Sequence, residues 1–241
     1  MKSNTYFKDS ALAALRGNWG KAVCVTLVYI IIALVIAGPM GYSSIKMSEA
    51  MEGISYSSAS SILDMASDPE FLIARRINDG ATGMGLLLEF FLLLPLEVAL
   101  LNSFRRLLVK GDNNLMGNLF NFSNYWRKVG GMLLVGIFIF LWTLLFIIPG
   151  IIKSFSYAMT PYILDEYPEL SPSEAIHRSR MMMKGHKFDL FWLYLSFLGW
   201  GILCILTCGI GLLWLAPYMY TAQASFYEEV KADYAINGGL D

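Results

Sequence analysis

The 241-residue sequence holds 15% charged and 56% hydrophobic residues, with a mean hydropathy of +0.53, whereas a soluble domain carries about a quarter charged residues. So much apolar surface excludes an ordinary soluble globule and calls for lipid. A net charge of −1 excludes nucleic acid as a partner, because neutralising several phosphates takes a basic excess.

Residues 1–21 read as an amphipathic helix in the headgroup plane, with Lys2, Lys8, Arg16 and Lys21 ahead of the apolar run Ala22 to Gly38. That run is expected to stay as a membrane anchor: the basic stretch is long and helical, and Pro39 spoils the small-residue site where a signal peptidase would cut. A helix needs about 20 mostly apolar residues to cross the hydrocarbon core. Six candidates meet or approach this, at roughly 22–40, 83–102, 130–148, 150–164, 188–206 and 209–227. The third and fourth are divided at Pro149-Gly150, since one helix from Val129 to Leu164 would be about 54 Å long, well beyond a core of about 30 Å. Cys208-Gly209-Ile210-Gly211 is expected to turn the chain between the fifth and sixth.

The chain therefore reads as all-α, a single polytopic membrane domain of three repeated units, each an interfacial amphipathic helix followed by a helical hairpin. The unit starts are Asn18-Trp19-Gly20-Lys21, Tyr125-Trp126-Arg127-Lys128 and Gly185-His186-Lys187-Phe188. The hairpins occupy 22–102, 129–164 and 188–227, the interfacial helices 1–21, 103–128 and 165–187, and a tail 228–241. In the second interfacial stretch Leu115, Leu119, Phe122 and Trp126 recur at helical spacing. In the third, Ser171, Pro172 and Glu174 form a capping box, with Ile176, Met182 and Met183 toward lipid and His177, Arg178, Arg180 and Lys184 toward water. The first unit is about 48 residues longer than the second. Its excess falls in the Ser-rich and then acidic segment 41–80, which is expected to be an external loop with at most short helices.

With the N-terminus inside, 14 of the 18 Lys and Arg fall on the cytoplasmic side, 3 fall outside and Lys153 lies within a span. Both termini are thus expected to be cytoplasmic. Charges inside spans are costly, which singles out Glu89, Glu97 and Lys153 as a polar intramembrane seam. Glu89 and Glu97 are eight residues apart, about 12 Å along a helix, and an ion pair from one of them to Lys153 is geometrically possible. Its bland form is a structural pair joining hairpins; its functional form is a proton or cation relay. Pro95, Pro161 and Pro217 each free a backbone carbonyl, and with Pro149 and Gly150 they are the helix-breaking positions. Arg178, Arg180, Lys184 and Lys187 are candidate contacts for anionic lipid headgroups. His177 and His186 stand nine apart with no acidic or Cys residue at a ligand spacing, so no metal is expected. Cys24, Cys204 and Cys208 lie in apolar segments and read as packing residues. No catalytic constellation and no cofactor motif occur.

The run Trp142-Thr143-Leu144-Leu145-Phe146-Ile147-Ile148-Pro149-Gly150-Ile151-Ile152-Lys153-Ser154-Phe155-Ser156-Tyr157 resembles the signature of the bacterial domain of unknown function 975 family, DUF975. Ser173-Glu174-Ala175-Ile176-His177-Arg178-Ser179, Met183-Lys184-Gly185-His186-Lys187 and Gly211-Leu212-Leu213-Trp214-Leu215-Ala216-Pro217-Tyr218 resemble it too. The likeness covers Leu115 to Tyr227 and extends to Tyr6 to Gly38, but not to 41–80. It implies a multi-pass protein of the bacterial cytoplasmic membrane, distantly similar to the membrane part of certain glycerophosphodiester phosphodiesterases, and it supplies no catalytic residue. The expected function is a non-enzymatic component that binds membrane lipid, another membrane protein or a second copy of itself. The alternative is a small-solute or ion transporter or channel using Glu89, Glu97 and Lys153.

Overall fold

A computed structural model of the chain describes residues 2–51 and 68–237, and among these it contains helices and no strand. The chain divides into two compact units, Ile30–Leu93 and a larger one made of Met1–Tyr29 with Leu94–Asp241.

The smaller unit is built from α2 (Trp19–Met51), most of which lies in it, and α3 (Pro69–Leu88), followed by a π-helical segment at Glu89–Leu93. The two helices meet where Ser43 Oγ donates to Asn78 Oδ1 at 3.2 Å, and Ile36, Phe71 and Ala74 are buried. Residues 41–51 and 69–80 are therefore helical, which corrects the expectation of an external loop. α2 runs on through Pro39; the proline forfeits one hydrogen bond to the preceding turn, which a helix can absorb as a kink. The remainder of the insertion, 52–67, lies outside the described residues.

The larger unit contains α1 (Asn4–Leu15), the start of α2, α4 (Leu94–Lys110), α5 (Leu115–Leu119), α6 (Tyr125–Leu145), α7 (Ile147–Tyr157), α8 (Thr160–Glu166), α9 (Pro172–Met182), α10 (Lys187–Leu195), α11 (Leu198–Leu206) and α12 (Leu212–Asn237). Its axis is α12, in which every residue from Thr221 to Tyr227 is buried. α1 and α4 flank it. Phe7, Ala11 and Leu15 recur every four residues on α1, and all three are fully buried, with the Phe7 ring 5.4 Å from that of Phe226. The amphipathic N-terminal helix thus covers protein.

The same holds for α9. The capping box forms as the sequence predicts, with Glu174 N donating to Ser171 Oγ and Ser171 N donating to the Glu174 carboxylate. Ile176, Met182 and Met183, however, are buried against the bundle, correcting the expectation that they face lipid. Residues 115–128 do not form one interfacial helix either. α5 is five residues long, Asn124 takes a left-handed conformation (φ 52°), and Phe122 and Trp126 are exposed while Leu115 and Leu119 are buried.

Among the described residues, four helical stretches are long and apolar enough to cross a membrane: Trp19–Lys46, Phe71–Lys110, Tyr125–Leu145 and Lys187–Leu206. The expected fourth and sixth spans are not among them. The fourth is split into α7 and α8; at 11 residues α7 is about 16 Å long, half the hydrocarbon thickness. The sixth lies in α12, whose central stretch carries Thr221, Gln223 and Ser225 and is covered by protein. Outward-facing apolar residues concentrate at the α6–α7 and α10–α11 ends: Leu144, Phe146, Ile147, Ile148, Ile205 and Leu206 are all exposed. So large an exposed apolar surface is what a membrane would cover.

The α6–α7 turn is at Phe146, in an extended conformation, three residues before the expected Pro149. Pro149 instead sits in the first turn of α7, where a missing N–H costs nothing. Gly150 has a different task. A Cβ added there would lie 2.2 Å from Thr143 Oγ1 and 2.9 Å from Thr143 Cα, so only glycine lets α7 fold back against α6. Replacing Gly150 by Ala is expected to destabilise the larger unit by about 1–3 kcal/mol through overpacking. Gly136→Ala, where nothing lies within 4 Å, should leave the thermal unfolding in detergent unchanged.

Candidate functional site

α8 ends on two adjacent acids, Asp165 and Glu166, and cations from three other helices converge on them. Asp165 Oδ2 accepts from Arg106 Nη2 of α4 at 2.7 Å, and its Oδ1 pairs with Lys128 Nζ of α6 at 2.7 Å. Lys128 is 2% exposed. Glu166 Oε1 pairs with Arg105 Nη2 at 2.5 Å and with Lys231 Nζ of α12 at 2.9 Å, while the Tyr227 hydroxyl donates to its Oε2 at 2.5 Å. Glu228 closes the ring, holding Arg105 Nε at 2.6 Å and Lys231 Nζ at 2.6 Å. Burial works against the charged form of Asp165, but the Lys128 ammonium and the Arg106 guanidinium outweigh it and hold the carboxyl below its ordinary value. For Glu166 burial is likewise outweighed, by Tyr227, Lys231 and Arg105.

Arg127, next to Lys128, closes off the C-terminal end of α8. Its Nη1, Nη2 and Nε donate to the carbonyls of Leu164, Tyr167 and Leu170 at 2.9, 2.6 and 2.8 Å. Leu164 is in the last turn of α8, whose carbonyls a helix end leaves without an internal partner, and Tyr167 and Leu170 lie in the connection that follows. The sequence reading counted Arg105, Arg106, Arg127, Lys128 and Lys231 as topology signals and passed over Asp165 and Glu166. The available signal was an acid pair directly after an apolar segment.

Further along α4, eight residues or about 12 Å from Arg105, Glu97 lines a cavity of about 340 Å³ inside the larger unit. Tyr157, Tyr194, Tyr220, Gln223 and Ser154 supply its other polar groups, with Met132 and Met219 among the apolar ones. A second hollow, of about 260 Å³, lies between α7 and α10 and is lined by Ile151, Ile152, Phe155, Phe188 and Phe191, with Lys187 beside them.

The family model described as a protein of unknown function, DUF975, matches residues 143–234. Over those 92 of the 241 residues the chain is similar to DUF975. The DUF975 segment thus contributes Asp165, Glu166, Glu228 and Lys231 to the ion-pair cluster, while Arg105, Arg106 and Lys128 come from the chain before it. No curated protein and no solved structure matches the chain, so the likeness to glycerophosphodiester phosphodiesterases rests on the sequence resemblance alone.

Within the DUF975 segment, Lys153 places its ammonium 4.4 Å from the centre of the Trp142 ring, and no described carboxylate lies within 4 Å of it. Of the predicted seam, Glu89 is exposed in the π-helical segment of the smaller unit, whose extra residue per turn breaks the periodicity behind the eight-residue spacing. Glu97 alone lines the cavity. Of the four candidate lipid contacts, Arg180 and Lys184 are exposed, Lys187 borders the apolar hollow, and Arg178 is partly buried with its guanidinium 3.9 Å over the Tyr167 ring. Pro161 lies in the first turn of α8, Pro95 directly follows the π-helical segment within a continuous helical run, and Pro217 lies inside α12.

Replacing Asp165 by Asn leaves the buried Lys128 ammonium facing a neutral group, with an expected loss of about 3–5 kcal/mol. The double change Asp165→Leu with Lys128→Met should recover most of the loss in detergent melting experiments. The depressed carboxyls also fix a pH dependence. Their stabilisation is complete above the unfolded-state values of about 4 and is lost as pH falls through the lower folded-state values, because the unfolded chain binds the protons first. The melting temperature should therefore fall below about pH 4, with a shallower acid slope in Asp165→Asn.

Proposed function

We propose that this chain is a non-enzymatic component of the bacterial cytoplasmic membrane that binds anionic lipid, with both termini cytoplasmic. The observation that carries the reading is the hollow between α7 and α10: a cation, Lys187, stands at an apolar crevice of about 260 Å³ walled by three phenylalanines. A lipid phosphate needs such a cation, and an acyl chain such walls. Exposed Lys184 and Arg180 add charge at the same end of α9. A six-pass arrangement of three hairpin units belongs to this reading. It draws support from the three related motifs, which stand at the first turns of α2, α6 and α10. Lys184→Gln with Lys187→Gln should weaken retention of phosphatidylglycerol relative to phosphatidylcholine, measured by native mass spectrometry, by about 2 kcal/mol or roughly 30-fold. Unchanged retention in a folded variant would overturn the lipid reading.

A second reading, small-solute binding and passage, is favoured by the polar cavity at Glu97. If solute moves through it, Glu97→Gln should abolish flux in reconstituted liposomes, whereas Lys153→Met, whose residue does not line it, should not.

A further inference from the structure

We infer that the cavity bordered by Glu97 is a binding site for a small organic ammonium ion. Its lining carries one carboxylate and no Lys, Arg or His, so the fixed charge facing the space is negative. Three phenol rings, Tyr157, Tyr194 and Tyr220, border the same space, and the negative faces of aromatic rings attract cations most strongly where water is excluded. The thioethers of Met132 and Met219 add polarizable surface. The Glu97 carboxylate is close enough to act electrostatically on the phenols of Tyr162, Tyr194 and Tyr220, which places it within the aromatic cluster.

Ligand size and chemistry follow from the same wall. About 340 Å³ is at the lower end of small-molecule sites, which span about 300–1,000 Å³, so the ligand has few non-hydrogen atoms. A divalent transition metal is the wrong cation, since no group of three or more His, Cys, Asp or Glu side chains occurs among the described residues. An alkylammonium ion satisfies both parts of the wall: its charge meets the carboxylate, and its alkyl groups lie on the rings. The site takes Glu97 from the solute reading but does not depend on flux.

Choline and its uncharged carbon analogue dimethylbutanol, titrated calorimetrically into the purified chain in detergent, provide the test. Saturable choline binding at least tenfold tighter than dimethylbutanol is expected, weakened at least tenfold in Glu97→Gln. Equal binding of the two probes, absence of saturable choline binding, or unchanged affinity in a Glu97→Gln protein of wild-type melting temperature would each overturn the proposal. Should Glu97→Gln fail to fold, the comparison of charged and uncharged probes on the wild-type chain still decides. Choline binding without choline flux in liposomes would leave the site standing and overturn only passage.

Discussion

The larger unit depends on the neutralisation of two adjacent carboxylates. Asp165 and Glu166 end a helix of seven residues that has little stability of its own. They draw α4, α6 and α12 to one point through cations that sequence separates by more than a hundred residues. In a bundle whose outer surface is given over to lipid, apolar contact with a neighbouring helix offers little advantage over apolar contact with an acyl chain. Charge pairing and hydrogen bonding supply what hydrophobic burial does not: a penalty for any other arrangement. Four cations face three carboxylates, with a tyrosine hydroxyl on one of them, so that each carboxylate meets two cations.

Cation placement then has two roles in one residue. Arg127 and Lys128 stand in the tryptophan-containing motif that opens α6, where they count toward orientation in the membrane. The same side chains terminate α8 and compensate Asp165. The corresponding position of the third motif is used in a related way, with His186 Nε2 3.1 Å from Asp233 near the end of α12.

The hydropathy pattern made the helical class and the lipid-facing surface legible, because both follow from residue type averaged over a window. The capping box at Ser171 was legible for a different reason: it is local, and three residues specify it. What covers an amphipathic face was not. Phe7, Ala11 and Leu15, or Ile176 and Met182, present the same periodicity whether lipid or protein lies against them. Pro149 misled in the opposite direction, since it occupies a first turn that tolerates it, while the α6–α7 turn falls on Phe146, a residue with no turn preference of its own. Pairings such as Arg105 with Glu166 involve long separations, and no single-sequence spacing rule reaches them.

The burial of α1 against α12 carries a consequence for how the chain is made. Phe7 meets Phe226 and Lys2 meets Glu229 at 2.9 Å, so α1 has its partner more than 200 residues later in the chain. Until α12 is made, the Phe7, Ala11 and Leu15 stripe must wait, held at the membrane surface or by a chaperone. Closure of the larger unit therefore follows synthesis of α12, and a chain stalled before it would expose an apolar seam that quality-control proteases can read.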